Sequence, residues 1–251
     1  MTFCQKTGAP VNFLEQPRYR CGLETSMNLR KAAVIVTGAS RGLGAAMAEQ
    51  LGRAGARLVL VARDREALQG VAERIQRHGG EAHPVVADVA APDAAARIAG
   101  TAGALVGPAE VLIHNAGSLG PVPLAPLADT ADAAFEEALS TNLLGPFRLT
   151  RALVGNMALL GRGVVVLVSS DAASTAYPGW GAYGVSKAAL EHLGRIWQTE
   201  LSGTGVRFLT VDPGEMDTRM HRQAMPEADP ASLARPEQAA ARVLSLLEAT
   251  G

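Results

Sequence analysis

Tyr183 and Lys187 stand four residues apart in Tyr-Gly-Val-Ser-Lys, and on a helix that spacing puts a phenol and an ammonium on one face. The pair is suited to moving a proton. A phenol of pKa about 10 is a poor acid or base at neutral pH, but a neighbouring Lys⁺ favours the phenolate, so Tyr183 is expected to exchange a proton with an alcohol or carbonyl oxygen. The same spacing also occurs on ordinary exposed helix faces, so the pair needs company. A second cluster supplies it: Thr-Gly-Ala-Ser-Arg-Gly-Leu-Gly, with Gly38, Gly42 and Gly44 around Ser40, Arg41 and Leu43. Glycines at a strand-to-helix junction let backbone N–H groups approach a pyrophosphate at the helix N-terminus. The spacing is wider than the ordinary dinucleotide fingerprint, and a plain structural turn is the competing reading.

The residues that must position these groups follow a repeating pattern. Ala32 to Thr37 is a β-branched run ended by glycine, followed by a helical stretch from Leu43 to Arg53. The unit recurs as Arg57 to Ala62 before a helix from Arg65 to Arg77, Ala82 to Ala87 before Pro92 to Leu105, and Val111 to His114 before a helix between Asp129 and Leu160. Gly163 to Val168, a helix from Ala182 to Leu201, Val206 to Val211 and a last helix from Pro236 to Leu247 complete six strands. Near-continuously apolar strands separated by helices predict an α/β, doubly wound parallel sheet, Rossmann-like, in three αβα layers. Ligands of such sheets bind beyond the carboxyl ends of the strands, where the candidate polar residues fall.

Three further strand ends carry candidates. The second strand ends at Ala62-Arg63-Asp64, where Arg63 and Arg41 are expected to clamp a 2′-phosphate, favouring NADP(H). NAD(H) stays possible if Arg63 faces solvent and Asp64 turns inward to hold the ribose. Asp88, with Val89 after it, suits an adenine amino group or the cap of the helix near Pro92. Asn115-Ala116-Gly117 and Pro213-Gly214 are small-residue corners that let a cofactor lie close to the backbone, or ordinary turns.

Length and composition bound the remaining possibilities. The chain has 251 residues, 48% of them hydrophobic, enough for one large domain over residues 29–251. Its formal charge of -1 gives no positive field for nucleic acid or an anionic membrane surface. Five unclustered histidines show no ligand spacing, so no metal site is expected. Cys4 and Cys21 read as free thiols of a cytoplasmic protein, and residues 1–28 as a flexible extension or an over-long gene start. No secretory leader or membrane-spanning stretch is expected.

From about Leu29 to Leu247 the chain resembles the classical short-chain dehydrogenase/reductase family. The motifs that carry the resemblance are Thr37 to Gly44, Asp88, Asn115 to Gly117, and Asn142, Ser170, Tyr183 and Lys187, which match the family's catalytic tetrad in order. The resemblance implies transfer of the 4-pro-S hydride of a nicotinamide to a carbonyl carbon while Tyr183 protonates the oxygen, or the reverse. It implies that Ser170 orients the carbonyl and that Lys187 bonds the nicotinamide ribose and lowers the phenol pKa. Asn142 would hold a water through its backbone carbonyl, and Thr218 would bond the carboxamide. Ser170 as a turn cap and Asn142 as a cap within Thr141 to Phe147 are the plainer alternatives.

Substrate contacts are expected from Ser118 to Pro126, Asp171 to Gly181 with Tyr177 and Trp180, and the segment after Pro213-Gly214. A small-molecule ketone, aldehyde or alcohol is the expected partner, with a 3-oxoacyl thioester, an NAD-dependent alcohol dehydrogenase reaction or a catalytically idle NADP-binding regulator as alternatives. The chain ends where many family members continue into a seventh strand, so six strands and a homodimer through the two long helices are expected, a tetramer less so.

Overall fold

The computed structural model describes residues 27–250; the N-terminal segment and both cysteines lie outside the described residues. Six strands form one parallel sheet: β1 (Ala33–Thr37), β2 (Arg57–Ala62), β3 (Glu81–Val86), β4 (Val111–His114), β5 (Gly163–Val168) and β6 (Val206–Val211). Their order is β3-β2-β1-β4-β5-β6, so the connections reverse direction between β1 and β4 and open a crevice above their carboxyl ends. All five residues of β1 and all four of β4 are buried, as strands covered on both faces must be. Edge strand β3 contains Pro84, which has no N–H to donate and is tolerated there because one side of the strand is unpaired.

Alternate residues of β1 feed two cores. Val34 and Val36 pack with α1 (Gly42–Arg53), α2 (Arg65–Arg77) and α8 (Pro236–Glu248), through Met47, Leu51, Leu68, Val243 and Leu247. Ala33 and Ile35 pack on the other face with α3 (Ala94–Val106), α5 (Gly145–Leu159) and α6 (Gly181–Glu200), through Ile98, Leu149, Leu153 and Leu190. Each fully buried Leu, Ile or Val contributes about 1.5–3 kcal/mol, so the sheet is anchored from both sides.

Most boundaries fall within a residue of the sequence reading, and two larger differences bear on the site. Helix α3 begins at Ala94 rather than Pro92, with Asp93 at its N-cap position, so Asp88 does not cap it. The helix expected between Asp129 and Leu160 is divided: α4 (Asp132–Leu139) passes through a π-helical turn, Ser140–Leu144, into α5. The wider turn accommodates one extra residue per winding, and Asn142 lies in it. After β6 the chain forms the short helix α7 (Arg219–Ala224) over the crevice. Among the described residues, no helix is long and apolar enough to cross a membrane, and no group of three or more His, Cys, Asp or Glu could hold a metal ion.

Candidate active site

One cavity of about 1020 Å³ runs along the carboxyl edge of the sheet. Gly38, Ser40, Arg41, Gly42, Leu43, Arg63, Asp88 and Val89 line one part of it; Asn115, Ala116, Gly117, Pro213, Gly214 and Thr218 line the middle; Ser170, Tyr183 and Lys187 line the other part. Two residues expected at the site, Gly44 and Asn142, stand behind the wall rather than in it.

Gly44 is required by the turn itself. A Cβ there would collide with the Gly38 carbonyl oxygen and the Asn115 side-chain amide. That amide donates to the carbonyls of Thr37 (3.0 Å) and Gly38 (3.2 Å), so Asn115 fastens the glycine turn to the end of β4. Thr37, which the motif reading treated only as the turn's first residue, ties the same strands: its Oγ1 donates to the Ile113 carbonyl and accepts from the N–H groups of Asn115 and Ala116, all at 3.1 Å. Arg41 at the N-cap of α1 makes no side-chain cap, and the first turn holds no acidic residue. The helix N-terminus therefore presents uncapped N–H groups and its positive dipole end to the cavity, a combination that fits a dinucleotide pyrophosphate.

At the far end of β2, Arg41 Nη2 is ion-paired with Asp64 Oδ2, and Asp64 Oδ1 accepts from the Ala67 N–H at 3.1 Å as the cap of α2. Arg63 is mostly exposed, its Nη1 3.8 Å from Asp88 Oδ2. Asp88 Oδ1 accepts from the Ala90 N–H at 3.0 Å, shaping its own turn. Both arginines thus stand near the end of β2, each beside a carboxylate, and Asp64 as Arg41's partner was not foreseen.

At the chemical end, Gly184 has no Cβ to strike the Ala172 carbonyl, which would lie 2.8 Å from one, so α6 comes close to the turn that follows β5. This brings Tyr183 to Ser170. Ser170 Oγ accepts from the Ala172 N–H at 3.2 Å and donates to Asp171 Oδ1 at 3.0 Å, capping the turn Asp171–Ala173. Ser170 is thus a turn cap whose hydroxyl also lines the cavity beside Tyr183. Asp171 Oδ2 also accepts from the Tyr177 hydroxyl at 2.7 Å, and these bonds hold its carboxyl below the ordinary carboxylate range.

Tyr183 is buried with its ring edge-on to Trp180, centroids 5.7 Å apart. Burial pushes its phenol up to about 12; the Ser170 hydroxyl acts in the opposite direction, and the charges of Asp212 and Asp171 add to the rise. Lys187 is also buried, its ammonium 5.5 Å from the Tyr183 ring centroid and donating to the Val168 carbonyl at 2.7 Å. Burial lowers Lys187 to about 8, against the opposing pull of Glu191. In this geometry the phenol is raised rather than depressed, burial being the largest cause, and the Lys187 ammonium faces the ring and a carbonyl.

Asn142 is fully buried and its side chain is wholly committed. Oδ1 accepts from the Ser118 N–H, while Nδ2 donates to the Ser118 carbonyl and to Ser186 Oγ, each at 2.8 Å. It clamps the loop after Gly117 to α6 and caps no helix. A Cβ on Gly117 would lie 3.5 Å from Asn142 Oδ1 and 3.9 Å from Lys187 Nζ, so the three segments converge. Of the expected substrate segments, Ser118 to Pro126 contributes only Leu119 to the wall, whereas Asp171, Tyr177, Trp180 and every residue of 215–225 line it. Thr218 caps α7 by accepting from the His221 N–H at 3.2 Å and packs over Gly42.

A sheet that reverses order beside an open helix N-terminus, with a tyrosine, a serine and a lysine at the far end of the same cavity, defines a dinucleotide-dependent oxidoreductase site. The family model described as short chain dehydrogenase matches residues 32–229. A short chain dehydrogenase of Pseudocercospora fijiensis is 32% identical over 192 residues, 76% of this chain; the match spans 62% of that relative's length. A metagenomic short-chain oxidoreductase in complex with NADP superposes with a TM-score of 0.76 at 34% identity, covering 90% of this chain and 93% of that one. A 7 alpha-hydroxysteroid dehydrogenase complexed with NADH and 7-oxo glycochenodeoxycholic acid gives 0.80 at 28% identity, covering 88% and 90%. The chain belongs to the short-chain dehydrogenase family and has that family's character of an NAD(P)-dependent oxidoreductase acting on carbonyl or alcohol groups.

Proposed function

We propose that this protein is an NADP(H)-preferring carbonyl reductase in which Tyr183 is the proton donor. The observation that carries the reading is the placement of Tyr183 beside Ser170 at the end of the cavity away from the glycine turn: burial pushes the phenol up to about 12, so at neutral pH it holds a proton that it can give to a carbonyl oxygen. When bound, the nicotinamide supplies the hydride.

The chain's own residues do the rest. The Ser170 hydroxyl orients the carbonyl oxygen and meets charge developing there. Donating to a substrate oxygen requires it to leave Asp171, so the Asp171 carboxylate holds the hydroxyl in place until substrate arrives. Lys187 bonds the nicotinamide ribose and supplies positive charge beneath the phenol as Tyr183 gives up its proton. Asn142 fixes Ser118 and α6 relative to one another, and its main chain carries the proton path to solvent. The dinucleotide is held by the turn at Gly38, Ser40, Gly42, Leu43 and Gly44, by Val89, Asn115, Ala116 and Gly117, and by Pro213, Gly214 and Thr218, with Asp88 toward adenine.

The preference for NADP(H) rests on Arg41 and Arg63 beside the end of β2, where two guanidinium groups suit a phosphate dianion. The substrate is an apolar or aromatic ketone or aldehyde, for which Leu119, Tyr177, Trp180 and Met220 supply the walls. We further propose a cytoplasmic homodimer through α5 and α6. Leu149 and Leu190 are consumed by the chain's own core, but Leu159 on α5 and Val185 and Ile196 on α6 stay exposed, as does Leu144 just before α5. Absorbance at 340 nm with NADPH, then NADH, against aliphatic, aryl, steroid-like and 3-oxoacyl carbonyls tests the reading. Carbonyl-dependent oxidation faster with NADPH is expected; oxidation with neither cofactor, despite tight binding of NADPH, would overturn it.

A further inference from the structure

Tyr183, Lys187 and Glu191 recur every four residues on α6 and form one stripe along the helix. The end of β5 lies against that stripe residue by residue. Ser170 meets Tyr183, the Val168 carbonyl accepts from Lys187 Nζ at 2.7 Å, and Ser169 Oγ donates to Glu191 Oε1 at 2.7 Å. Ser169 is buried at 3% exposure, and its N–H is taken by the Val211 carbonyl of β6 at 2.7 Å. Its hydroxyl is thereby given to Glu191. The carboxylate, in turn, is the acidic group that acts on the buried ammonium of Lys187.

We propose that Glu191 is a positioning residue for the reaction: through Ser169 it fixes the strand end carrying Ser170 against α6 and sets a carboxylate one helical turn from Lys187 on the same face. The proposal rests on the reductase reading for its catalytic consequence, but not for the coupling itself. The other ionisable groups around this stripe act differently. His114 of β4 is neutral and senses Lys187; Asp212 and Asp171 act on Tyr183; Arg195, with Nη1 3.8 Å from Glu191 Oε2, lies one turn further out. Removing the Glu191 charge leaves Lys187 buried without its opposing carboxylate, so the ammonium gives up its proton at lower pH.

The chain has three lysines, Lys6, Lys31 and Lys187, so ¹³Cε-lysine NMR can follow the titration of Lys187 in the cofactor-free protein. Three variants separate the two roles. Glu191→Gln keeps an oxygen for Ser169 and removes the charge; Ser169→Ala removes the tether and keeps the charge; Glu191→Leu removes both. The Lys187 titration, about 8 in the parent, is expected to fall by about half a unit or more in Glu191→Gln and Glu191→Leu, with the alkaline limb of kcat moving by the same amount. Ser169→Ala is expected to lower kcat severalfold at every pH without moving that limb. Titration and limb unchanged in a folded Glu191→Gln would overturn the proposal, and this variant carries the test if Glu191→Leu does not fold. A shifted titration in a protein that turns over no carbonyl would refute the reductase reading and support the coupling of Glu191 to Lys187.

Discussion

Asp64→Asn isolates the charge that governs the adenosine end of the cavity. Asp64 does two things at once: Oδ1 caps α2 on Ala67, and Oδ2 pairs with Arg41. Asparagine caps about as well as aspartate, so the helix should keep that contribution, about 1 kcal/mol. The ion pair is roughly half-exposed on both sides, 45% and 43%, and such pairs contribute about 0–1 kcal/mol, so the melting temperature should hardly move. The effect on cofactor choice is larger. A 2′-phosphate bonded to Arg41 opposite Asp64 would stand on the order of 5–6 Å from that carboxylate, with the guanidinium between them. At an effective dielectric of about 40–80 the dianion is repelled by about 1.5–3 kcal/mol, reduced by salt to about 1–2. Steady-state kinetics with each cofactor should therefore show the kcat/KM ratio of NADPH over NADH rising about five- to thirtyfold in Asp64→Asn, and the gain should shrink as ionic strength rises. A ratio unchanged or lowered in a variant of unaltered melting temperature would refute the reasoning and move the phosphate contact away from Arg41.

Other outcomes follow from the same geometry. Gly44→Ala forces a Cβ into the Gly38 carbonyl and the Asn115 amide, so it should cost about 1–3 kcal/mol of stability and weaken NADPH binding at least about tenfold by fluorescence titration. Gly100→Ala, in α3 with nothing within 4 Å, should instead stabilise by about 0.5–1 kcal/mol. His114 is held neutral to about pH 3 by burial first and the Lys187 charge second. Its contribution to stability is complete above its unfolded pKa of about 6.5 and falls as pH drops toward 3, by at most about 1.4 kcal/mol per pH unit. Urea unfolding between pH 7 and 4 should show that slope, and His114→Gln should lack it. Carbonyl reduction should stay level at neutral pH and fall as pH rises through about 8, where Lys187 loses its proton; a profile level to pH 10 would contradict the role given to Lys187.

The elements were legible because the sheet is buried on both faces. Val34 to Val36 and Val111 to Ile113 are continuous apolar runs, and the glycines after β1 mark the turn, so local sequence sufficed. What escaped the sequence depends on contacts between residues far apart in the chain. Nothing in Thr141 to Leu144 signals a π-helical turn, because it is the tertiary demand of placing Asn142 on Ser118 and Ser186 that widens the helix. Arg41 and Arg63 were visible as cations, but not that Asp64 and Asp88 would stand beside them. The spacing of Tyr183 and Lys187 was correct, while the sign of the Tyr183 shift was not. Spacing says which groups meet and burial decides which protonation state they prefer, and burial comes from the fold as a whole.

The most direct test of the central claim compares Tyr183→Phe with the parent protein in one experiment, reading NADPH fluorescence for binding and absorbance at 340 nm for carbonyl-dependent turnover. Loss of the proton donor should lower kcat by about 10²–10⁴. NADPH affinity should stay within about threefold, because the phenol is removed while Lys187, Asn115 and the glycine turn remain. Turnover retained near the parent rate in a variant that binds NADPH normally would contradict Tyr183 as the acid, and with it this account of the site.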